Sequence, residues 1–340
     1  MHMADALLSP AVGGTMWVAT AATTFYCSQK IAHRLDDRKI PLMGVLGAFI
    51  FAAQMINFAI PGTGSSGHLG GGLLLAALLG PHAAFLTLAS VLVVQALFFA
   101  DGGLLALGAN VFNLGFAPCF IAYPLLYKPL TGKQPGPGRL LFGATAAAVI
   151  GLQLGSLGVV AQTVTSGMLS LSFTGFLLLM QTIHLPIGLI EGVATAGVIS
   201  FVIRVRPEIV AEGNHGPALA GLPFARVLAI LAAAAILTGG FLSWFASEKP
   251  DGLEWSLENS AARRETAATD EPPTALERFR ERIALLPDYN FRSAEKTDGG
   301  GVSRPDPGAT ASGILGGVIV LVLVVLTGLL LGKKGRNRDR

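Results

Sequence analysis

Long runs of apolar residues, separated by short polar segments, make up most of the chain. Eight of these runs reach the length of about 20 residues that a transmembrane helix needs. They are residues 8–30, 40–60, 84–100, 109–127, 139–162, 173–203, 225–245 and 311–332. A shorter run, 69–80, ends at Gly80-Pro81, and we predict a short helix there, paired with the helix that follows. The pattern therefore predicts nine membrane crossings.

The stretch 168–203 is too long for one straight crossing. As a helix it would rise about 54 Å, against a hydrocarbon core of about 30 Å. Pro186 also removes a backbone hydrogen bond within it. Two crossings here would move Arg204 and Arg206 to the outer side, so we predict one bent crossing, with 168–172 at the membrane interface.

Composition agrees with a membrane protein. The chain has 340 residues, of which 52% are hydrophobic and only 13% are charged, whereas soluble proteins have roughly 25% charged residues. We therefore predict an all-α integral membrane protein surrounded by the lipid bilayer. The formal net charge of +3 gives no indication of nucleic-acid binding, because the basic residues follow the membrane topology.

Lysine and arginine residues indicate the orientation. Those outside the segment 246–308 fall in five patches, at 30–39, 128–139, 204–206, 226 and 333–340. With the amino terminus outside, nine crossings bring every patch to the cytoplasm, as the positive-inside rule requires. We predict a multi-pass protein of the cell (inner) membrane, with its amino terminus outside and its carboxyl terminus in the cytoplasm.

Composition also divides the chain into parts. Residues 207–224, rich in Gly, Pro, Asn and His, are predicted to be a cytoplasmic linker. They separate a seven-helix part, 1–206, from a two-helix part, 225–340. The second part contains a long outer loop, 246–308, which is exempt from the positive-inside rule because of its length.

The Pro, Ser and Thr content of this outer loop predicts loose order. Two of its pieces, Pro250 to Trp255 and Leu286 to Tyr289, combine apolar and acidic residues. We regard both pieces as candidates for docking on another part of the protein.

The amino-terminal dipeptide Met1-His2 has the chemistry of a metal chelate. The amine of Met1, the backbone amide nitrogen of His2 and the imidazole Nδ1 of His2 can close a five-membered and a six-membered ring. A plane of nitrogens is typical of Ni(II) or Cu(II) rather than of zinc or magnesium. The alternative is that His2 merely follows the start methionine. The basic region of a secretory signal peptide is missing, so we expect the dipeptide to be retained.

The glycine-rich loop 61–72 lies on the same outer side and contains His68. Glycine lets a backbone run irregularly and approach a ligand closely, and irregular backbone at membrane depth must line a cavity or be buried in protein. His68 is therefore the candidate fourth nitrogen, with a solvated surface histidine as the alternative. Gly62 to Gly67 has phosphate-loop spacing, but His68-Leu69 stands where Lys and Ser or Thr are needed, so we predict no ATP site.

Four polar residues near the external ends of the spans are candidates for side chains that surround the metal ligands and orient them. Asn57, Asn110 and Asn113 could orient ligating imidazoles, or they could bond neighbouring helices. Asp101 opens the turn 101–103, where a turn or capping role is the alternative.

Glu191 is the only carboxylate within a predicted span, and His184 lies up to two turns away from it. Ionisable groups within spans indicate a function. A hydrogen-bonded link between helices is the alternative for Glu191. An intramembrane metalloenzyme using both residues would need a spacing of the HExxH kind, which is absent.

A series of motifs in the first 206 residues resembles the CbiM/NikM family. They are Met1-His2 with Asp5, the run Asn57 to Gly72, Gln95 to Gly103, Gly108 to Asn110, Asn113, and His184 to Gly192. The part from residue 225 onward, with Pro250 to Glu254, resembles the accessory two-helix component of the CbiN/NikN type, fused to the same chain.

The resemblance implies the cobalt- or nickel-specific substrate-binding component of an energy-coupling-factor transporter. It implies seven helices, with the amino terminus threaded into the molecule. It also implies that Ni(II) or Co(II), as the transported substrate, is held by the Met1 amine, the His2 amide and imidazole, and the His68 imidazole.

Partners follow from the same resemblance: a membrane-embedded coupling subunit of the CbiQ/NikQ type and two cytoplasmic ATPases of the CbiO/NikO type. We therefore expect a non-catalytic transporter subunit. A metal-binding sensor or accessory protein, and the intramembrane metalloenzyme, are the alternatives.

Overall fold

The computed structural model describes residues 2–32, 35, 38–210, 222–260, 275–292 and 306–338. Within these residues the protein is almost entirely helical, and each of the nine predicted apolar runs contains a helix, which confirms the predicted fold class. Met1, the centre of the predicted linker (211–221) and two stretches of the predicted outer loop (261–274 and 293–305) lie outside the described residues.

Helices follow one another closely along the described chain. They are α1 (Pro10–Ala32), α2 (Lys39–Gln54), α3 (Gly72–Leu79), α4 (Pro81–Phe98), α5 (Leu107–Phe116), a π-helix (Ala117–Tyr127), α6 (Lys128–Thr131), α7 (Pro137–Ser166), α8 (Phe173–Val205), α9 (Phe224–Gly240), α10 (Gly252–Glu258), α11 (Ala275–Ile283) and α12 (Pro307–Arg338). Two short strands, β1 (Phe58–Ala59) and β2 (Ser66–Gly67), pair antiparallel in the glycine-rich loop.

Five elements are long and apolar enough to cross a membrane. They are Pro81–Phe98, Leu107–Thr131, Pro137–Ser166, Phe173–Val205 and Pro307–Lys333. Helices α2 and α9 are apolar but shorter. Helix α3 has eight residues, all of them buried, and rises only about 12 Å. It cannot cross on its own, so the ninth predicted crossing is a half-length helix enclosed by protein.

Helix α8 is one continuous element with Pro186 inside it, so the long stretch forms a single helix, whereas its bend and the interface position of 168–172 stay predictions. It packs along α7, where Gly188 and Gly192 lie directly against the backbone of Val149 and Thr145. Because neither glycine has a side chain, the two helices approach closely. This pair forms the wall on one side of the glycine-rich loop.

Two helices of the second part, α9 and α12, pack against α2 of the first part. They meet each other where Gly239 faces Gly313, and Gly316 lies against the ring of Phe51 on α2. The hydrophobic core consequently runs through both parts of the chain. For the described pieces of the outer loop the prediction of loose order is wrong, because they form α10 and α11 and bond to the first part.

Candidate metal-binding site

The amino-terminal segment is inserted into the protein, as the family resemblance implied. Met3 is fully buried. Its backbone N–H donates to Asn110 Oδ1 at 2.8 Å, and its carbonyl accepts from Asn110 Nδ2 at 3.2 Å and from the Gly103 N–H at 2.8 Å. Three hydrogen bonds therefore fix the backbone next to His2. Met1, the other half of the predicted chelate, lies outside the described residues.

Asp5 anchors the same segment two residues after Met3. It begins a 3-10 turn, Asp5–Leu7, and its Oδ1 accepts the Ala106 N–H at 3.0 Å. A side chain at Gly103 would occupy the space of the Asp5 carboxylate, and Gly102 has a φ of +86°. The turn that Asp101 opens therefore requires glycine at both following positions, since the inserted terminus lies directly against it.

The glycine-rich loop brings His68 to His2. The two rings are stacked, with centroids 5.1 Å apart and planes inclined by 25°. Gly67 permits this, since a Cβ at that position would lie 2.5 Å from Ile187 Cδ1 on α8. His68 Nδ1 lies 3.1 Å from the Leu69 carbonyl, so Nδ1 carries the proton and Nε2 keeps its lone pair. A backbone carbonyl bound to one ring nitrogen is typical of a ligating histidine.

Glu191 holds the backbone of this loop in place. Its two carboxylate oxygens accept the N–H groups of Gly70 at 2.7 Å and Gly71 at 3.1 Å. Gly71 has a φ of +77°, and both N–H groups point toward α8. The buried carboxylate therefore links α8 to the segment that runs from His68 to the N-cap of α3 at Gly71.

His184, one of the residues predicted near the site, lines the same small cavity as His68 and Asp251. Its Nδ1 lies 2.7 Å from the Met180 carbonyl on the preceding turn of α8. As in His68, this hydrogen bond places the proton on Nδ1 and leaves the lone pair on Nε2. Sequence reasoning did not indicate Asp251 as a third member of this lining.

Asp101 lies directly beside His2. Its Oδ1 is 3.5 Å from His2 Nδ1, and its Oδ2 accepts the Tyr289 hydroxyl at 2.5 Å. Asp101 is therefore more than the cap of a turn. Tyr289 belongs to the outer loop of the second part, so that loop reaches the immediate neighbours of His2.

The three predicted asparagines have different positions. Asn110 bonds the Met3 backbone instead of an imidazole. Asn113 pairs with Gln162 at 2.7 Å, and its Nδ2 lies 4.0 Å from Met3 Sδ. The Asn57 carbonyl accepts the Ser247 N–H at 2.6 Å. The structure therefore brings Asn110 and Asn113 to the inserted terminus and uses Asn57 to join the two parts of the chain.

The outer loop covers the site at two points, which are the two pieces regarded as candidates for docking. At the first, the Pro250 carbonyl accepts the Ser66 N–H at 2.8 Å, directly before Gly67 and His68. At the second, the N–H groups of Leu285 and Leu286 donate to the Phe98 carbonyl at 2.8 and 3.1 Å. The apolar and acidic composition of both pieces was the only sequence signal for these contacts.

Burial lowers the pKa of both imidazoles that face each other. For His68 the pKa falls to about 3, chiefly because burial disfavours the charged ring. For His2 the pKa is also lowered by burial, although the negative charge of Asp101 opposes the shift. Both rings are therefore neutral at physiological pH, which is the form that binds a metal ion.

Side chains alone do not complete a coordination sphere here. Within the described ranges, no group of three or more His, Cys, Asp or Glu side chains is arranged to hold a metal ion. Two neutral imidazoles, with backbone nitrogen beside one of them, can instead contribute to a nitrogen-rich site. Such a site needs the amide nitrogen of His2 and the amine that precedes it.

Comparison with protein families gives two matches. Residues 2–209 match the CbiM family, described as the cobalt uptake substrate-specific transmembrane region. Residues 225–333 match the PDGLE domain, whose name is the sequence Pro250 to Glu254 of this chain.

Similar proteins agree with these matches. A putative fused nickel transport protein NikMN of Archaeoglobus fulgidus is 34% identical over 332 residues, 95% of this chain and 96% of that protein. The cobalt transport protein CbiM of Sorangium cellulosum is 32% identical over 219 residues, 62% of this chain and 94% of that protein.

A solved structure has a similar fold over part of the chain. The crystal structure of a truncated transition metal transporter covers 60% of this chain and 98% of its own, with a TM-score of 0.51 and 30% sequence identity. The CbiM family match includes the part of the chain that contains His2 and His68. The protein is a multi-helix membrane protein of the CbiM family of nickel and cobalt transport proteins, with a PDGLE domain following the CbiM region.

Proposed function

We propose that this chain is the substrate-capture subunit of an ATP-driven energy-coupling-factor transporter that takes up Ni(II) or Co(II). The observation that carries the proposal is the stacked pair His2 and His68 beside an inserted amino terminus. The Met1 amine, the His2 amide and imidazole, and the His68 imidazole would provide four nitrogens in a square plane. In this proposal, residues 1–206 bind the metal and residues 207–224 form a cytoplasmic linker. Residues 225–340 form an accessory part of the transporter subunit.

The spacing of the two rings supports shared coordination. Metal–nitrogen bonds of 2.0–2.1 Å place the centroids of two imidazoles on adjacent corners of a square about 4–5 Å apart. The observed separation of 5.1 Å is close to that range. The six-membered chelate ring uses His2 Nδ1, which now faces Asp101. Binding would therefore exchange the carboxylate contact for the metal ion.

Partners and location belong to the same proposal. A membrane-embedded coupling subunit of the CbiQ/NikQ type and two cytoplasmic ATPases of the CbiO/NikO type would supply the energy. The subunit would lie in the cell membrane with its amino terminus outside, where the site can meet the external ion. The distribution of Lys and Arg supports this orientation.

Of the two alternatives, the metalloenzyme has less support than the sensor. Both oxygens of Glu191 accept backbone N–H groups, so this carboxylate is committed to holding the loop. A sensor or accessory protein would bind the metal equally well. Reconstituted vesicles containing the chain, a coupling subunit and the ATPases distinguish a transporter from a sensor. We expect accumulation of radioactive nickel only with ATP, whereas binding without accumulation would favour the sensor.

The affinity for Ni(II) should fall as the pH is lowered. The slope of the logarithm of the association constant against pH then identifies the ligands. Because burial lowers the pKa of His2 and brings that of His68 to about 3, imidazole protonation contributes little near pH 7. The amine, with an ordinary pKa near 8, and the amide must each lose a proton. We expect the logarithm of the Ni(II) association constant to rise by about two per pH unit. A slope near zero in competition titrations would exclude both backbone donors.

Replacing Glu191→Gln should weaken Ni(II) binding by about 10–100-fold, the usual cost of losing a group that positions a ligand. The carboxylate uses one oxygen for each N–H group, whereas the glutamine side chain places an NH2 donor against one of the two N–H donors of Gly70 and Gly71. Isothermal titration calorimetry measures the effect. Glu208→Gln, at a surface ion pair with Arg206, is the matched control. Unchanged affinity in Glu191→Gln would show that the loop needs no such anchor.

A further inference from the structure

Helix α11 of the outer loop has an apolar face and a charged face. Along its nine residues, Leu276, Phe279 and Ile283 recur at intervals of three and four and therefore share one face. The rest of its surface is charged and carries Glu277, Arg278, Arg280, Glu281 and Arg282. Leu276 is 44% exposed and Phe279 is 54% exposed. Exposed apolar residues opposite a charged, arginine-rich face are typical of a helix that lies in a membrane surface.

Polar contacts, rather than burial, hold this short helix against the protein. Helices of fewer than about 12–15 residues are marginal in water by themselves, and none of the nine residues of α11 is buried. The Arg280 guanidinium donates to the Gly102 carbonyl at 3.0 Å. The Arg292 guanidinium donates to the carbonyls of Glu281 at 2.7 Å and Ala284 at 2.6 Å, at the carboxyl end of the helix. These bonds fix α11 in place and leave its apolar face exposed.

The residues that follow α11 lie where a membrane span ends. The N–H groups of Leu285 and Leu286 donate to the carbonyl of Phe98, the last residue of the apolar span Pro81–Phe98. The 18 residues of this span rise about 27 Å, close to the thickness of the hydrocarbon core. The Phe98 carbonyl therefore lies near the membrane surface, and so does the carboxyl end of α11.

The ends of two further apolar helices lie at the same level. Asn290 donates to Asp306 at 3.4 Å, directly before α12 begins. Trp244, a few residues after α9, donates its indole N–H to the first turn of α12 at 2.7 Å. Beside it, Phe241 is 43% exposed and Phe245 is 58% exposed. Tryptophan is enriched where spans meet the membrane surface, so this aromatic group marks the level that α11 shares.

Lipid is the partner that fits the apolar face of α11. Directly below this level the exposed residues of α12 are apolar, as at Ile314, Leu315 and Val318, and in a membrane protein such a surface faces acyl chains. The face of α11 continues that surface at the membrane boundary. Exposure of Leu276 and Phe279 to water is unfavourable, whereas the charged face can remain among the lipid head groups and water.

We infer that α11 lies in the surface of the lipid leaflet on the side of the candidate site, with Leu276 and Phe279 inserted among the acyl chains. This inference goes beyond the proposed function, since it holds whether or not the chain transports a metal ion. Because Arg280 bonds Gly102, it also ties the turn beside His2 to the membrane surface.

The test measures the depth of a nitroxide label on the full-length protein. Both native cysteines are fully buried, so a cysteine introduced on α11 can be labelled selectively. In vesicles of phosphatidylcholine and phosphatidylglycerol, the label collides with oxygen, which concentrates in the bilayer, or with a water-soluble chromium complex present on both sides. For Phe279→Cys we expect the ratio of oxygen to chromium collisions to be severalfold higher than for Glu281→Cys, the matched control on the charged face.

Leu276→Cys is the second variant on the apolar face and should give the same high ratio, so the test does not depend on one substitution. Equal ratios on the apolar and the charged face would overturn the inference, because α11 would then not lie with its apolar face in lipid. A label on the apolar face that neither reagent reaches would also overturn it, because protein rather than lipid would then cover this face.

Discussion

Adding an extension of several residues before Met1 should abolish high-affinity binding of Ni(II) or Co(II). The extension turns the Met1 amine into an amide and moves the new terminal amine too far away to chelate together with His2, so the fused chelate of amine, amide and imidazole is lost. It also has to fit beside Met3, which is fully buried and bonded to Asn110. We expect a loss of more than about a hundredfold, above the usual effect of outer-shell changes, measured by calorimetry.

A protease-cleavable extension provides the sharpest control for this result. If cleavage leaves Met1 as the first residue, one preparation can be measured before and after treatment. Binding should return on cleavage, because the Met1 amine and the fused chelate are restored. An extended protein that binds as tightly as the cleaved one would exclude the chelate, whatever the role of His68.

Substituting His68→Ala should cost about a hundredfold or more in affinity, because it removes the nitrogen donor that faces His2 across 5.1 Å. The deleted ring leaves space next to the small cavity, so added imidazole should restore part of the binding. This rescue separates loss of a ligand from loss of structure, since a misfolded loop would not respond to imidazole.

His82→Ala is the matched control for the histidine deletion. His82 packs against the rings of Tyr26 and Phe120 in helical elements away from the glycine-rich loop, so its loss should leave Ni(II) affinity unchanged. A His68→Ala protein with wild-type affinity would remove His68 from the ligand set and leave the fourth position to another donor.

The second part of the chain lies closer to the candidate site than the sequence indicates. Its composition predicts a loose outer loop, yet Pro250 bonds Ser66 and Tyr289 bonds Asp101. Two separate pieces of the loop thus reach neighbours of His68 and His2.

The sequence by itself determined the helices and their order. A bilayer needs about 20 apolar residues per crossing, and backbone groups in lipid must bond within their own segment. Apolar runs therefore predict helices reliably, even around Pro186. The candidate ligands His2 and His68 also followed from the sequence, because nitrogen chelation by an amino-terminal dipeptide is a property of local covalent structure.

Only the tertiary structure decided which distant residues meet. Nothing in the spacing of Glu191 shows that its oxygens hold Gly70 and Gly71, and nothing around Asp251 shows that it shares a cavity with His68. Such contacts depend on packing between helices and on a loop that crosses from one part to the other. Apolar periodicity carries no information about these pairings, because lipid-facing and protein-facing positions are equally apolar.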